Sequence, residues 1–264
     1  MSNFTRCEMH PSASCDTVEC CEELYLRTRG STLPIKDERE TRIWRTAAGQ
    51  AENPEAFLFF KEYRIPAGRF WFSGAARSRG SREYRALLAM DLANLPVAKP
   101  DWFAESRTGP FLKYSVLVTQ CLGPVEPFSD WLRSRREEES VTLPICSLVG
   151  AMARQLHDQG FGHFRMQAKN FMVCGGATPN VKMIDVPYTC RWKQALSPRL
   201  RKLDLEDLCG AHSVFSPAQI DTVLLAYNGS ELLGDFRPGS RSRWGQKLRR
   251  ITYYLAAIWS GHRP

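Results

Sequence analysis

Hydrophobic positions fall into two textures along the chain. From Thr41 they come in short runs rich in aromatic and β-branched side chains, the composition of strands. Ala56–Arg64 reads as one strand, ended by Pro66 and Gly68. Ser81–Met90 combines good helix formers, with Tyr84, Leu87, Leu88 and Asp91 on one side. Lys113–Thr119 reads as a further strand, broken at Gly123 and Pro124. Beyond that break the period lengthens. Phe128–Arg135 predicts a short helix and Leu143–Asp158 a longer one. In the longer helix Ile145, Leu148, Val149, Met152 and Leu156 recur at the i, i+3, i+4, i+7 spacing of an amphipathic helix. Gly160 and Gly162 stop it. Phe171–Cys174 and Val181–Ile184 predict a hairpin, with turn-forming residues between Gly175 and Asn180. From Leu200 onward the pattern is helical with loops. Strands with one helix, followed by helices with one inserted hairpin, define an α+β chain that divides near residue 120 into 41–120 and 121–264. Residues 1–40 carry no clear period and read as a poorly ordered leader. No internal repeat is present.

A length of 264 residues fits one large domain or two fused lobes. A hydrophobic share of 43% is enough for a sizeable core, which excludes a disordered or fibrous chain. No run approaches the ~18 apolar residues of a membrane span, and the first residues lack the apolar stretch of a secretory signal. A cytoplasmic protein with reduced thiols is therefore expected. Four of the nine cysteines, Cys7, Cys15, Cys20 and Cys21, lie in the leader beside His10. Only Cys15 and Cys20 come near the spacing of a zinc-binding pair, so these thiols read as incidental. The net charge of +8 suits a polyanionic partner.

Candidate chemistry sits at the open end of the predicted hairpin. Asn170 precedes its first strand and Asp185 follows its second. Neighbouring strands lie ~5 Å apart, so an amide oxygen and a carboxylate placed there can share a hard cation such as Mg²⁺. The plain alternative is an Asn ending a loop and an Asp capping a turn. Upstream, Lys61 lies in an apolar strand and Glu83 in the next helix. A lysine buried in a hydrophobic strand needs a carboxylate partner. In phosphoryl transfer such a lysine grips phosphate oxygens and the helical glutamate orients it. The plain alternative here is an ion pair that only stabilises its lobe.

The ordered set of these motifs resembles the lipopolysaccharide kinase (Kdo/WaaP-like) family, over about Trp44 to Tyr227. Phe60-Lys61-Glu62-Tyr63 looks like the family's nucleotide-lysine strand, and Ser81-Arg82-Glu83-Tyr84 like the helix with the partner glutamate. Val116–Thr119 followed by Gly123 resembles the strand and hinge between lobes. His163 to Asn170 occupies the place of the catalytic loop His-Arg-Asp-x₄-Asn. Ile184-Asp185-Val186 falls at the metal-binding Asp, and Asp204-Leu205 resembles a helix late in the large lobe. The resemblance implies a bilobal protein-kinase-like fold, with ATP and Mg²⁺ in the cleft between lobes. It implies transfer of the γ-phosphate to a Kdo or heptose hydroxyl of the lipopolysaccharide core, or to a lipid-linked sugar acceptor. Lys61 would hold phosphates, Glu83 would orient Lys61, and Asn170 and Asp185 would hold Mg²⁺. Thr119, Gln120 and Cys121 would offer backbone groups to adenine, and His163 would support the loop by packing and hydrogen bonding.

Two departures from the family pattern stand out. The loop reads His163-Phe164-Arg165-Met166-Gln167-Ala168-Lys169-Asn170, so the catalytic aspartate position holds Arg165. An arginine stays protonated and does not accept a proton from an attacking hydroxyl. The phosphate loop, Ala47 to Asn53, offers a single glycine, Gly49. A pseudokinase that binds nucleotide or a partner without turnover is therefore the second expectation. At the C-terminus Trp244, Leu248, Ile251, Leu255 and Ile258 recur at helical spacing with Lys247, Arg249 and Arg250 between them. That basic amphipathic helix suits docking on the large lobe, or peripheral attachment to an anionic inner-membrane face. Its aromatics form a stripe rather than stacking platforms, so no nucleic-acid partner is expected.

Overall fold

The structure, a computed structural model, describes residues 4–48, 56–66, 77–123, 125–175, 179–210 and 213–227, together with Thr252. Two compact units emerge: Met1–Asp91 with Ala98–Gly123, and Leu92–Val97 with Pro124–Pro264. The first unit takes in the segment read as a leader.

The first unit is an antiparallel sheet of six strands. In chain order they are β1 (Arg6–Met9), β2 (Lys36–Asp37), β3 (Thr41–Ala47), β4 (Ala56–Arg64), β5 (Lys99–Thr108) and β6 (Phe111–Leu122). Their order across the sheet is β1-β5-β6-β4-β3-β2. Alternation along β4 sets both faces, because successive strand side chains point to opposite sides. Leu58 and Phe60 point into a cluster with Phe4, Tyr25, Trp44 and Trp102. Lys61 and Tyr63 point the other way, toward helix α2 (Arg79–Asp91). That helix lies close on the sheet: a Cβ added at Gly80 would meet Ser115 Oγ at 2.8 Å.

Residues 4–40 differ from the expected leader. β1 pairs with β5 from Arg6↔Glu105 to Met9↔Trp102. Helix α1 (Val18–Ser31) docks on the face opposite α2, capped by Thr17, whose hydroxyl accepts from the Cys20 N–H. Its buried positions are Cys21, Tyr25 and Thr28. This face is only partly apolar, so hydrophobic periodicity does not reveal it. Polar pairing anchors it instead. Glu62 of β4, 1% exposed, accepts from Tyr25 Oη at 2.8 Å and Arg29 Nε at 2.7 Å. Burial alone would raise the Glu62 pKa; the Arg29, Arg64 and Tyr25 hydrogen bonds outweigh it and hold the carboxyl below its usual range. The whole of β5 also escapes the pattern. Residues Pro100–Ser106 are all buried, so the strand shows no alternation, and it includes polar Asp101, Glu105 and Ser106.

The second unit is mainly helical: α3 (Phe128–Ser134), α4 (Glu139–Asp158), α5 (Pro198–Cys209) and α6 (Pro217–Ala226). α4 buries Ile145, Val149, Met152 and Leu156 as its spacing predicts, but Leu148 is 43% exposed, so the buried face is rotated away from it. α6 crosses so closely that a Cβ at Gly150 would meet the Val223 carbonyl oxygen at 2.2 Å. The expected hairpin is β9 (Phe171–Cys174) with β10 (Asn180–Met183), and β7 (Val125–Pro127) pairs on the far side of β9. A second small ladder joins β8 (Phe161–Gly162) to β11 (Cys190–Arg191). Among the described residues no helix is long and apolar enough to cross a membrane. The phosphate-loop residues 49–53 and, apart from Thr252, the basic tail from Trp244 lie outside the described residues.

Candidate functional site

The first unit brings Lys61 and Glu83 together. Lys61 Nζ donates to Glu83 Oε1 at 3.0 Å and to Oε2 at 3.3 Å. Glu83 is 2% exposed and also accepts from the Tyr63 hydroxyl, while the Lys61 side chain keeps 19% exposure. Lys61 and Tyr63 are two apart on β4 and so share a face. The glutamate is thus fixed by two groups on one strand, and the ammonium is fixed by the glutamate, with the lysine side chain only partly buried. This is the arrangement a phosphate-gripping lysine requires.

Thr119, Gln120 and Cys121 lie at the end of β6. Thr119 and Gln120 are flanked on both sides, by Phe59 and Leu58 of β4 and by Pro100 and Lys99 of β5. A strand paired on both sides shares its amides and carbonyls with its neighbours. The Gln120 side chain is engaged as well, donating to Asp101 Oδ1 at 2.6 Å. Cys121 pairs with Phe57 of β4.

The second unit holds the loop from His163 to Asn170. Its frame is Asp204 of α5, 1% exposed. Asp204 Oδ2 accepts from the His163 N–H and Oδ1 from the Phe164 N–H, both at 2.7 Å. Phe164 adopts φ 58°, a left-handed conformation that costs a non-glycine residue about 1–2 kcal/mol. The paired hydrogen bonds to a charged acceptor offset that cost. Asp204 Oδ2 also meets His157 Nε2 at 3.2 Å; His157 Nδ1 meets the Tyr227 hydroxyl at 2.8 Å, all three residues buried. Arg201 reaches Tyr227 and pairs with Asp158 at 2.7 Å. Sequence reading placed Asp204 in a late helix but gave it no part in the site. Its signal was a lone acid between Leu203 and Leu205.

At the far end of the loop, Asn170 Nδ2 donates to the Arg165 carbonyl at 2.8 Å. A carbonyl accepts only from the NH₂ end, so this bond fixes the amide orientation and leaves Oδ1 as the side chain's acceptor. The Asn170 carbonyl accepts from the Ile184 N–H at 2.8 Å, extending the hairpin register by one pair. Asn170 therefore stands opposite Ile184, and Asp185 is the next residue, at φ 55°. An amide oxygen and a carboxylate from this open end are hard-oxygen donors suited to Mg²⁺.

His163 is 1% exposed, and neither ring nitrogen has a hydrogen-bond partner among the described residues. Burial pushes its pKa below the ordinary value, against the opposing pull of Asp204 and Asp185. It is a neutral packed ring; its hydrogen bonding to the frame runs through its backbone. Arg165 is half-buried, with its guanidinium over the Tyr188 ring at 6.0 Å. The loop uses only the backbone carbonyl of residue 165, so arginine fits without disturbing the frame.

Residues 65–227 match the model of the lipopolysaccharide kinase (Kdo/WaaP) family, more than half of the chain, and the chain belongs to that family. Among solved structures it is similar to WaaP in complex with acyl carrier protein, at 15% identity and a TM-score of 0.56, covering 96% of this chain and 99% of that one. The fold is thus kinase-like. Matching solved chains number 819, a breadth at which fold by itself does not choose a function. No curated protein matches.

Proposed function

We propose that this chain is a lipopolysaccharide-core kinase that uses ATP and Mg²⁺ to phosphorylate a sugar hydroxyl, and that it works without a loop carboxylate as general base. The supporting observation is the Lys61–Glu83 pair, formed at 3.0 Å with the lysine side chain 19% exposed. ATP supplies the phosphoryl group, and Mg²⁺ neutralises charge on its phosphate oxygens. Lys61 binds phosphate oxygen, and Glu83 with Tyr63 keeps Lys61 aimed. Asn170 Oδ1 and the Asp185 carboxylate hold the cation. Thr119, Gln120 and Cys121, at the end of β6, are the residues that would meet adenine. No side chain of the loop takes the acceptor proton: Arg165 is cationic and His163 is buried. Phosphoryl transfer depends chiefly on positioning and charge stabilisation. Loss of the base therefore lowers the rate by about 10²–10⁴-fold rather than abolishing binding.

The test is thermal stability with and without ATP and Mg²⁺, followed by phosphate transfer to isolated core oligosaccharide. Ligand at a hundredfold excess over its dissociation constant stabilises the folded state by about 2.7 kcal/mol. The shift should require Mg²⁺ and vanish in Lys61→Met and Asp185→Ala. An absent shift at millimolar ATP rejects nucleotide binding altogether. Arg165 favours a second reading, a pseudokinase that retains nucleotide without turnover. A Mg²⁺-dependent shift with no transfer at any enzyme concentration selects it.

A further inference from the structure

We infer that Cys15 and Cys20 form a redox-active dithiol that closes to a disulfide on exposure to a hydroperoxide. Their sulfur atoms lie 2.7 Å apart, inside ordinary nonbonded contact of two sulfurs. Each is held there by separate anchors. The segment before Cys15 is clamped to β5 by Asp101, which is fully buried. Asp101 accepts from the Ser14 N–H at 2.8 Å and from the Ser14 hydroxyl, and its carbonyl accepts from the His10 N–H at 2.8 Å. Cys20 stands in the first turn of α1, where its N–H is capped by Thr17. The Arg29–Glu62 and Trp44–Thr28 hydrogen bonds fix the rest of that helix. The pair is thus preorganised by the fold, which reading by sequence spacing could not show.

Exposure assigns the roles. Cys20 is half-exposed and meets the oxidant, whereas Cys15 is 5% exposed. Burial, then the neighbouring Cys20, pushes the Cys15 thiol up to about 12, so Cys15 is not the thiol that reacts first with peroxide. The Cys20 thiolate attacks one peroxide oxygen, the O–O bond breaks, and the departing hydroxide takes a proton to leave as water. The Cys15 sulfur then attacks the Cys20 sulfenic sulfur, an S–S bond forms as the S–O bond breaks, and the thiol proton leaves with hydroxide as a second water. Two thiols are oxidised and one peroxide is reduced. The closed ring ties the Asp101-anchored segment to the helix that grips Glu62, next to Lys61. Cys7 and Cys21 lie nearby in the same apolar cluster, yet no three metal-ligating side chains among the described residues are arranged to hold an ion.

The experiment treats the full chain with hydrogen peroxide, then alkylates free thiols. Digestion on the N-terminal side of Asp16 separates Cys15 from Cys20, so mass spectrometry reads their linkage. The expected product links Cys15 to Cys20 in the native protein and in Cys7→Ser, is absent in Cys20→Ser, and reverses with dithiothreitol. The oxidised native protein should melt about 4–8 °C higher than the reduced form. If Cys20→Ser folds poorly, Cys15→Ala must remove the same link. Alkylation of both thiols after peroxide, a Cys7–Cys21 link in its place, sulfinic acid at Cys20, or zinc held by these thiols in the purified protein each overturns the assignment.

Discussion

The Lys61–Glu83 pair and the His163–Asn170 loop are built by different means. In the first unit the chemistry and the frame are the same side chains: Lys61, Tyr63 and Glu83 hold each other, and the charge that would grip phosphate is part of the packing. In the second unit they are separate. Asp204 holds the loop through the backbone amides of His163 and Phe164, and Asn170 closes it through the carbonyl of Arg165. None of these bonds consults the side chain at position 165. A frame made of backbone contacts tolerates a change of chemistry that a frame made of side chains does not, and this is how an arginine stands where the family pattern has aspartate.

This contrast can be broken at several points. The largest effect is expected in activity. Arg165→Asp should raise turnover by about 10²–10⁴-fold and move stability by less than about 0.5 kcal/mol, since the frame does not use that side chain. An unchanged rate in a folded, nucleotide-binding variant would mean that the loop is not where the acceptor reacts. Asp204→Ala should do the reverse, costing about 3–5 kcal/mol in denaturant unfolding by stranding buried donors. A loss under about 1 kcal/mol would remove Asp204 as the source of the frame. Lys61→Met should cost about 1.5–3 kcal/mol, tempered by the partial exposure of Lys61, and should abolish the nucleotide-dependent rise in melting temperature.

A smaller effect is expected from pH. The folded-state pKa of His163 lies below its ordinary value of 6.5. Above that value both folded and unfolded states are neutral there, so the group has no pH effect. Below it the unfolded chain takes up a proton that the folded protein resists, and stability falls by up to about 1.4 kcal/mol per pH unit until the folded pKa is reached. Unfolding measured between pH 7 and pH 5 should show a shallower slope in His163→Phe than in the native protein; equal slopes would show that the ring does not sense the loss. The weakest expected effect concerns the basic tail. Co-sedimentation with anionic vesicles should fall as salt rises, and no co-sedimentation at low salt would leave the tail to dock on its own chain.

Much of the fold was readable in the pattern. β4 spans the residues its aromatics marked, α2 and α4 form where the pattern put helices, though Leu88 and Leu148 fall outside their buried faces, and the hairpin sits between its turn residues. The parts that stayed hidden share one cause. α1 docks through Tyr25, Thr28 and Arg29 rather than an apolar stripe, and β5 is buried on both faces with acids among its residues. Periodicity detects burial only where burial is apolar and one-sided. The same holds for the site: a lysine in a hydrophobic strand announced its need for an acid, whereas Asp204, a single acid between leucines, announced nothing about the amides it serves.

The sequence by itself determined the order of motifs, the family, and the arginine at position 165, because these depend on local composition and spacing. Only the tertiary structure decided what holds them. Asp204 reaches amides 41 and 40 residues away, Arg29 reaches Glu62 across 33, and Cys15 is brought to Cys20 by an aspartate 87 residues beyond Ser14. Bonds between polar groups far apart in the chain leave no periodic trace. They form only where packing has already placed donor and acceptor together and removed the water that would otherwise satisfy both.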